Sequence, residues 1–283
     1  GYSFVYVIFD DGTDLYWARS RTLEYLSPVL QQLPDGVQTE LGPDAIGIGW
    51  IYQYALVDTT GNNSLADLRT YQDWYLRYYL EAVPGVAEVA TVGGYQKQYQ
   101  VTVDPNRLRG YGIGIQQVVD AVRDGTAEVG GRLMEFGGTE YMVRGRGYAE
   151  SIEDFEEIVV GRSELGSPIR IKDLGEVMEG PDIRRGIAEL DGQGEVVQGI
   201  VIMRHEQNAL EVIEAVEERL EEIAPGLPEG VEIVVGYDRS DLIHRSVDNL
   251  ERTIIEVILT LCFVILLFLW HLPSAVIPIV TIP

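Results

Sequence analysis

Trp50-Ile51-Tyr52-Gln53-Tyr54-Ala55-Leu56-Val57, then Ser64, then Val83-Pro84-Gly85-Val86 together spell one strand, one helix and one chain break. The first run is apolar and rich in β-branched and aromatic side chains, which suits a pleated, buried strand. After Ser64 the residues Leu65, Leu68, Tyr75, Leu76, Tyr79 and Val83 form a stripe that predicts a helix capped by the Ser64 hydroxyl. Pro84-Gly85 stops that helix, and residues 87–92 read as the next strand.

The same pattern occurs on either side of this unit. Upstream, Phe4-Val5-Tyr6-Val7-Ile8-Phe9 predicts a strand, Asp10-Asp11-Gly12 a turn and Asp14 a helix cap. Leu15, Ala18, Thr22, Leu26, Leu30 and Leu33 then lay one helical face on a sheet, and Leu33-Pro34-Asp35-Gly36-Val37 ends the unit. Downstream, residues 196–203 read as a strand, Ala209, Ile213, Val216, Leu220 and Ile223 as an inward helical stripe, and Leu227-Pro228-Glu229-Gly230-Val231 as the break before a closing strand at 232–235. Recurring strand–helix–strand units of this size predict an α+β fold of small two-layer domains of the ferredoxin-like, split βαβ kind.

Residues 94–183 differ in texture, with short strands, many glycines and one clear helix at 115–123, and read as an insertion serving either as a contact surface or as a connecting domain. Residues 254–272 are apolar apart from Glu256, Thr260 and His271, long enough to cross a bilayer as a helix, with Glu256 suited to the headgroup level. His271-Leu272-Pro273-Ser274 reads as a tight turn, and 275–283 as the start of a second span. Gly1 in place of Met, and an apolar run still open at Pro283, read as cut ends.

The formal charge is −24, from 45 Asp and Glu against 21 Lys and Arg, which argues against any general affinity for nucleic acid or anionic lipid and is compatible with a cationic substrate. A single cysteine, Cys262, excludes a disulfide framework and CxxC sites. Enzymatic signatures fail as well: His205-Glu206 has Ala209 where a zinc-protease motif needs its second His, and neither a phosphate-binding loop nor a nucleophile elbow occurs. Thioethers select soft Cu(I) and Ag(I) ions. Met203 and Met142 read as packing residues, whereas Met178 and Met134 lie in polar, glycine-rich surroundings and are the candidate thioether ligands, with Asp124 and Glu128 as weaker candidate cation contacts.

Several segments closely resemble one family. They are Gly42-Pro43-Asp44-Ala45, Gly49-Trp50-Ile51-Tyr52, Asp67-Leu68-Arg69 with Gln72-Asp73-Trp74, and Pro84-Gly85-Val86-Ala87-Glu88-Val89-Ala90. To these add Glu140-Tyr141-Met142-Val143-Arg144, Arg184-Arg185-Gly186-Ile187-Ala188-Glu189-Leu190, Tyr237-Asp238-Arg239-Ser240 and Phe268-Leu269-Trp270-His271. The whole chain resembles the resistance-nodulation-division (RND) efflux pumps for heavy metals, most closely their copper/silver-exporting subunits. The resemblance implies a secondary transporter rather than an enzyme: a homotrimer in the bacterial inner membrane, driven by the proton gradient, with its porter region in the periplasm. It further implies a periplasmic adaptor and an outer-membrane channel as partners, and Cu(I) or Ag(I) as the exported ion. A pump of the same fold for divalent Zn, Co or Cd, and a membrane-anchored sensor or interaction protein, are the alternative readings. On this template residues 1–48 with 231–238 are an incomplete first porter subdomain, 49–93 with 184–230 the second, 94–183 a docking insertion, 250–272 a transmembrane helix and 275–283 the start of the next. Copper/silver members carry a Met directly before the Arg-Arg pair; this chain has Ile183 there, and Met178 is the nearest substitute.

Overall fold

The computed structural model describes residues 3–34, 37, 39–145, 147–184 and 186–269. The chain divides into two compact units, residues 1–94 with 186–283, and residues 95–185.

The first unit is organised by an antiparallel sheet of Trp50–Asp58, Val86–Val92, Glu195–Met203 and Val231–Asp238, whose spatial order is fourth, first, third, second. The third strand therefore lies between the first and second, which is the split βαβ arrangement. Short Ala188–Glu189 pairs with the start of the third strand. The closing strand, grouped with residues 1–48 on the family template, hydrogen-bonds instead to the first strand, with Leu56 opposite Ile233 and Asp58 opposite Val231. Its apolar Val231 and Ile233 join the same core as the first strand, so pairing and burial agree.

That core lies between the sheet and two helical segments. Ile51, Tyr54, Leu56, Val89, Val197 and Val201 come from strands, and Val212, Ile213, Val216, Leu220 and Ile223 from the helix Ala209–Ile223. Asn208 caps this helix by accepting from Leu210 N at 3.1 Å. Ser64 caps the other: its hydroxyl accepts from Asp67 N, and the Asp67 carboxylate accepts from Ser64 N, a reciprocal capping box.

This second helix departs from the predicted stripe. The buried positions are Ala66, Leu68, Gln72, Leu76 and Leu80, with Tyr79 exposed and Tyr75 only partly buried. At about 100° per residue, three steps of four carry Leu80 about 120° round an α-helix from Leu68, off the core face. The chain corrects this with one turn of π-helix, Gln72–Leu76, between the α-helical Leu65–Tyr71 and Arg77–Glu81. In that wide turn Arg77 N donates to Gln72 O. Tyr75, displaced from the core face, donates its hydroxyl to Ile223 O at 3.0 Å and ties the two helices together.

At the end of the second strand the chain leaves the sheet through Gly93 and Gly94, at φ 82° and 60°. A Cβ on Gly93 would stand 2.3 Å from Val196 O, so both the conformation and the space require glycine.

Two expectations fail near the amino end. Residues 3–10 form no strand, and Ile8 is 92% exposed: a β-prone segment becomes a strand only where an edge offers it a ladder, and no described residue does so. The helix Leu15–Leu30 forms, capped by Asp14, but Ala18 is the only buried residue of its predicted stripe. Polar bonds hold it, from Arg19 to Gly42 O at 2.6 Å and from Tyr16 to Asp44 at 3.3 Å.

Ser240–Leu269 is a helix through the residues expected to enter a bilayer. Among the described residues no helix is long and apolar enough to cross a membrane. The expected first span continues to Leu272, and its last residues, like the expected second span at 275–283, lie outside the described residues.

In the second unit the ladder between Lys97–Val103 and Gly175–Pro181 pairs the two ends of the segment, Lys97 opposite Pro181. A hairpin joins Val129–Phe136 to Thr139–Gly145 through Gly137-Gly138, both at positive φ as a two-residue primed turn needs. Val118 from the helix Ile115–Gly125 packs with Ile169 and Leu174 into a small core.

This division of the core makes a stability prediction. Ile213→Ala, at a fully buried site, should lower the unfolding free energy by about 2–5 kcal/mol. Tyr25→Ala, at a site 77% exposed, should change it by no more than about 0.5 kcal/mol. Denaturant unfolding of the two variants measures both, and equal losses would contradict the placement of the core.

Candidate functional site

The four candidate cation contacts all fall in the second unit, on three different elements or beside them. Met178 sits on the strand Gly175–Pro181, opposite Gln100, and is 41% exposed where its neighbour Val177 is buried. Met134 sits on the hairpin opposite Tyr141 and is 57% exposed. Met142, expected to pack, is 78% exposed, because this hairpin is a two-stranded sheet by itself. Since Leu133 is opposite Met142 and Met134 opposite Tyr141, the two hairpin thioethers leave opposite faces and do not converge. Met203 is core, as its strand predicts.

Asp124 occupies the last turn of the helix Ile115–Gly125 and lines an open groove of about 710 Å³. Asp120 lines it one turn earlier, and Asp154 and Glu157 face it from the short helix Ile152–Glu156 and its C-cap, over a floor that includes Ala121, Ile158 and Val160. Glu128, four residues beyond Asp124, is not among the lining residues. Asp120 and Asp124 are legible in sequence as a four-residue pair on one helix. Asp154 and Glu157 are not, because only tertiary packing brings them there.

Two of the groove's carboxylates, Asp154 and Glu157, are held in their charged form. Asp154 lies below the ordinary carboxylate range because it accepts the backbone N–H of Glu150 at 2.9 Å and bonds from Ser151. Glu157 is lowered chiefly by its hydrogen bond from the Lys172 ammonium, with Arg170 at 3.0 Å adding to it. These partners neutralise part of the charge. Among the described residues no group of three or more His, Cys, Asp or Glu is placed to hold a metal ion.

In the first unit the sequence reading missed a second acidic set. Glu217 on the helix Ala209–Ile223 is raised by burial and then by Asp238, Glu214 and Glu221. The same surroundings push the Tyr52 hydroxyl up to about 12, through burial, Glu217 and Asp238. The helical spacing of Glu214, Glu217 and Glu221 was readable; their meeting with Asp238 depends on the closing strand. Elsewhere, Glu256 accepts from Arg252 one turn earlier at 3.2 Å.

The family model described as AcrB/AcrD/AcrF matches residues 1–283, the full length of the chain. The chain belongs to that family. The cation efflux system protein CusA of Escherichia coli K12 is 54% identical over 283 residues, and the putative cation efflux system protein SilA of Salmonella typhimurium 52% identical over the same length. Both cover 100% of this chain, and the chain spans 27% of each of them. The crystal structure of a heavy metal efflux pump superposes with a TM-score of 0.85 at 34% identity, over 98% of this chain and 27% of that one. The likeness of this AcrB-family chain to cation exporters thus runs through both units.

The acidic set of the first unit predicts a pH effect. A carboxyl raised in the folded state binds more protons there than when unfolded, so stability falls as pH rises from the ordinary glutamate range through the raised value. Glu217→Gln should therefore raise the melting temperature at about pH 7 and leave it nearly unchanged at about pH 4. Thermal unfolding of parent and variant at the two pH values checks this; an equal shift at both would remove the electrostatic cause.

Proposed function

We propose that this chain is the porter section of a proton-driven RND pump that exports Cu(I) or Ag(I). The observation that carries the reading is the high identity to cation efflux proteins, sustained from the first residue to the last. The sequence resemblance to copper/silver-exporting subunits narrows the cation class. In this reading the four-stranded sheet and its helices are the second porter subdomain, residues 1–48 are part of the first, and residues 94–183 are the docking insertion. The pump is a homotrimer in the bacterial inner membrane, with its porter region in the periplasm, a periplasmic adaptor and an outer-membrane channel as partners. Residues 250–272 cross the membrane and 275–283 begin the next crossing.

The chemistry on this side of the pump fits transit rather than storage. An ion that must leave again needs contacts that are soft and few, and the exposed thioethers of Met178 and Met134 are single ligands rather than a cage. Ile183 is 81% exposed and follows Met178 along the same segment, so a thioether placed there would be open to a passing ion.

The test uses the full-length pump in cells that lack their own exporter. Met178→Ile should lower copper and silver tolerance several-fold, and adding Ile183→Met should restore it, with zinc tolerance unchanged throughout because Zn(II) prefers nitrogen and oxygen donors. Unchanged copper and silver tolerance in both strains, at matched expression, would show that this face does not handle the ion. A change confined to zinc would shift the substrate to divalent cations.

A further inference from the structure

Gln72 is the one buried polar residue among the described residues, and it opens the π turn. Its side-chain Oε1 accepts the hydroxyl of Tyr54 at 2.9 Å, and Tyr54 itself is fully buried in the sheet. Tyr54 reaches Gln72 because its cross-strand partner is Gly199: a Cβ there would stand 2.3 Å from the ring's Cζ. Gly199, Tyr54 and Gln72 thus form a stack from sheet to helix that fixes where the wide turn sits.

The stack is incompletely satisfied. Gln72 Nε2 is buried with no hydrogen-bond partner, and so is Asp73 Oδ1 in the next residue, although Asp73 Oδ2 accepts from Arg69 at 2.6 Å. Turning the amide over exchanges the roles of its two ends and still leaves one of them unpaired, because the single hydroxyl supplies one bond. A buried amide atom without a partner destabilises the state that buries it. The π turn is also the part of this helix with one residue too many for the regular ladder. Both features fall on the same five residues, between two α-helical segments whose own hydrogen bonds are regular.

We propose that Gln72–Leu76 is a hinge built into this helix, positioned by the Gly199–Tyr54–Gln72 stack and kept easy to open by the unpaired amide. Leu65–Tyr71 stays fixed by its capping box and by Arg69, which donates to Gly93 O at 2.8 Å. Arg77–Glu81 is the arm, with Tyr78 exposed on its outer side and Leu80 fully buried on its inner side, so opening lifts Leu76 and Leu80 from the core and releases the Tyr75 bond to Ile223 O; Trp74, 82% exposed, rides on the hinge itself. Tyr54 and Gln72 are positioning residues in this account. The inference rests on the fold and is independent of the transport reading.

Residue-resolved hydrogen exchange on the 1–283 chain in detergent tests it. Amides of residues 72–77 should exchange about tenfold or more faster than those of Val216 and Leu220, which lie on the uninterrupted neighbouring helix. Tyr54→Phe removes the one bond to Gln72 and should raise exchange at 72–77 roughly tenfold further, with little change at Val216. The deciding variant is the double substitution Tyr54→Phe with Gln72→Leu, which replaces both partners by apolar groups of similar shape. A hinge kept loose by its unpaired amide becomes stiffer in that variant, so exchange at 72–77 should fall below the parent while the melting temperature holds or rises. A rigid core stabilised by an ordinary hydrogen bond gives the opposite result. Exchange in the double variant at or above the parent's, failure of the double variant to fold, or equal exchange at 72–77 and Val216 in the parent would each overturn the proposal.

Discussion

The pairing of Glu195–Met203 with both Trp50–Asp58 and Val86–Val92 is the constraint on which the first unit depends. Those two earlier strands are not hydrogen-bonded to each other. Each gains its central ladder only from a strand on the far side of residues 95–185. The entropic cost of so long an excursion is reduced because the second unit closes its own ends, Lys97 opposite Pro181, so what remains to be joined behaves as a short connection. Gly93 and Gly94 then let the chain turn out of the sheet where any Cβ would strike the incoming third strand.

Much of the first unit was legible because its signals are local. The break Val83-Pro84-Gly85-Val86, the caps Ser64 and Asp14, and the stripe ending at Ile223 each depend on a few neighbouring residues, and each is found in the structure. The failures share one cause. Residues 4–9 carry strand propensity without a described partner, the closing strand chose its sheet by pairing rather than by position in the template, and the helix after Ser64 hides a π turn. The last could have been suspected from Leu68, Gln72, Leu76 and Leu80, since a spacing of four held over three steps outruns an α-helix. Gln72 interrupts the apolar pattern of that row.

The candidate site was less legible, for the same reason taken one level higher. A methionine's neighbours in sequence say whether its strand is polar, but exposure on the hairpin is decided by whether a second sheet covers it. Met142 therefore came out exposed and Met203 buried, although both sit among apolar residues. Asp124 was singled out from its chain neighbours, whereas the groove owes half its carboxylates to a helix thirty residues away by way of the fold.

The excess of acid acts differently in the two units. In the groove, Asp154 and Glu157 are stabilised as anions by donors already in place, so their charge is fixed and partly spent on Lys172, Arg170 and backbone N–H groups. Around Glu217, burial and then the neighbouring charges of Asp238, Glu214 and Glu221 disfavour the anion, and the cost appears as a raised proton affinity. Neither arrangement, among the described residues, gathers the ligands that would trap a cation. A strongly negative surface of this kind raises the local concentration of cations without holding any of them. For a protein read as moving an ion onward, long-ranged attraction shared over many carboxylates draws the ion in without a tight contact, which would make release slow.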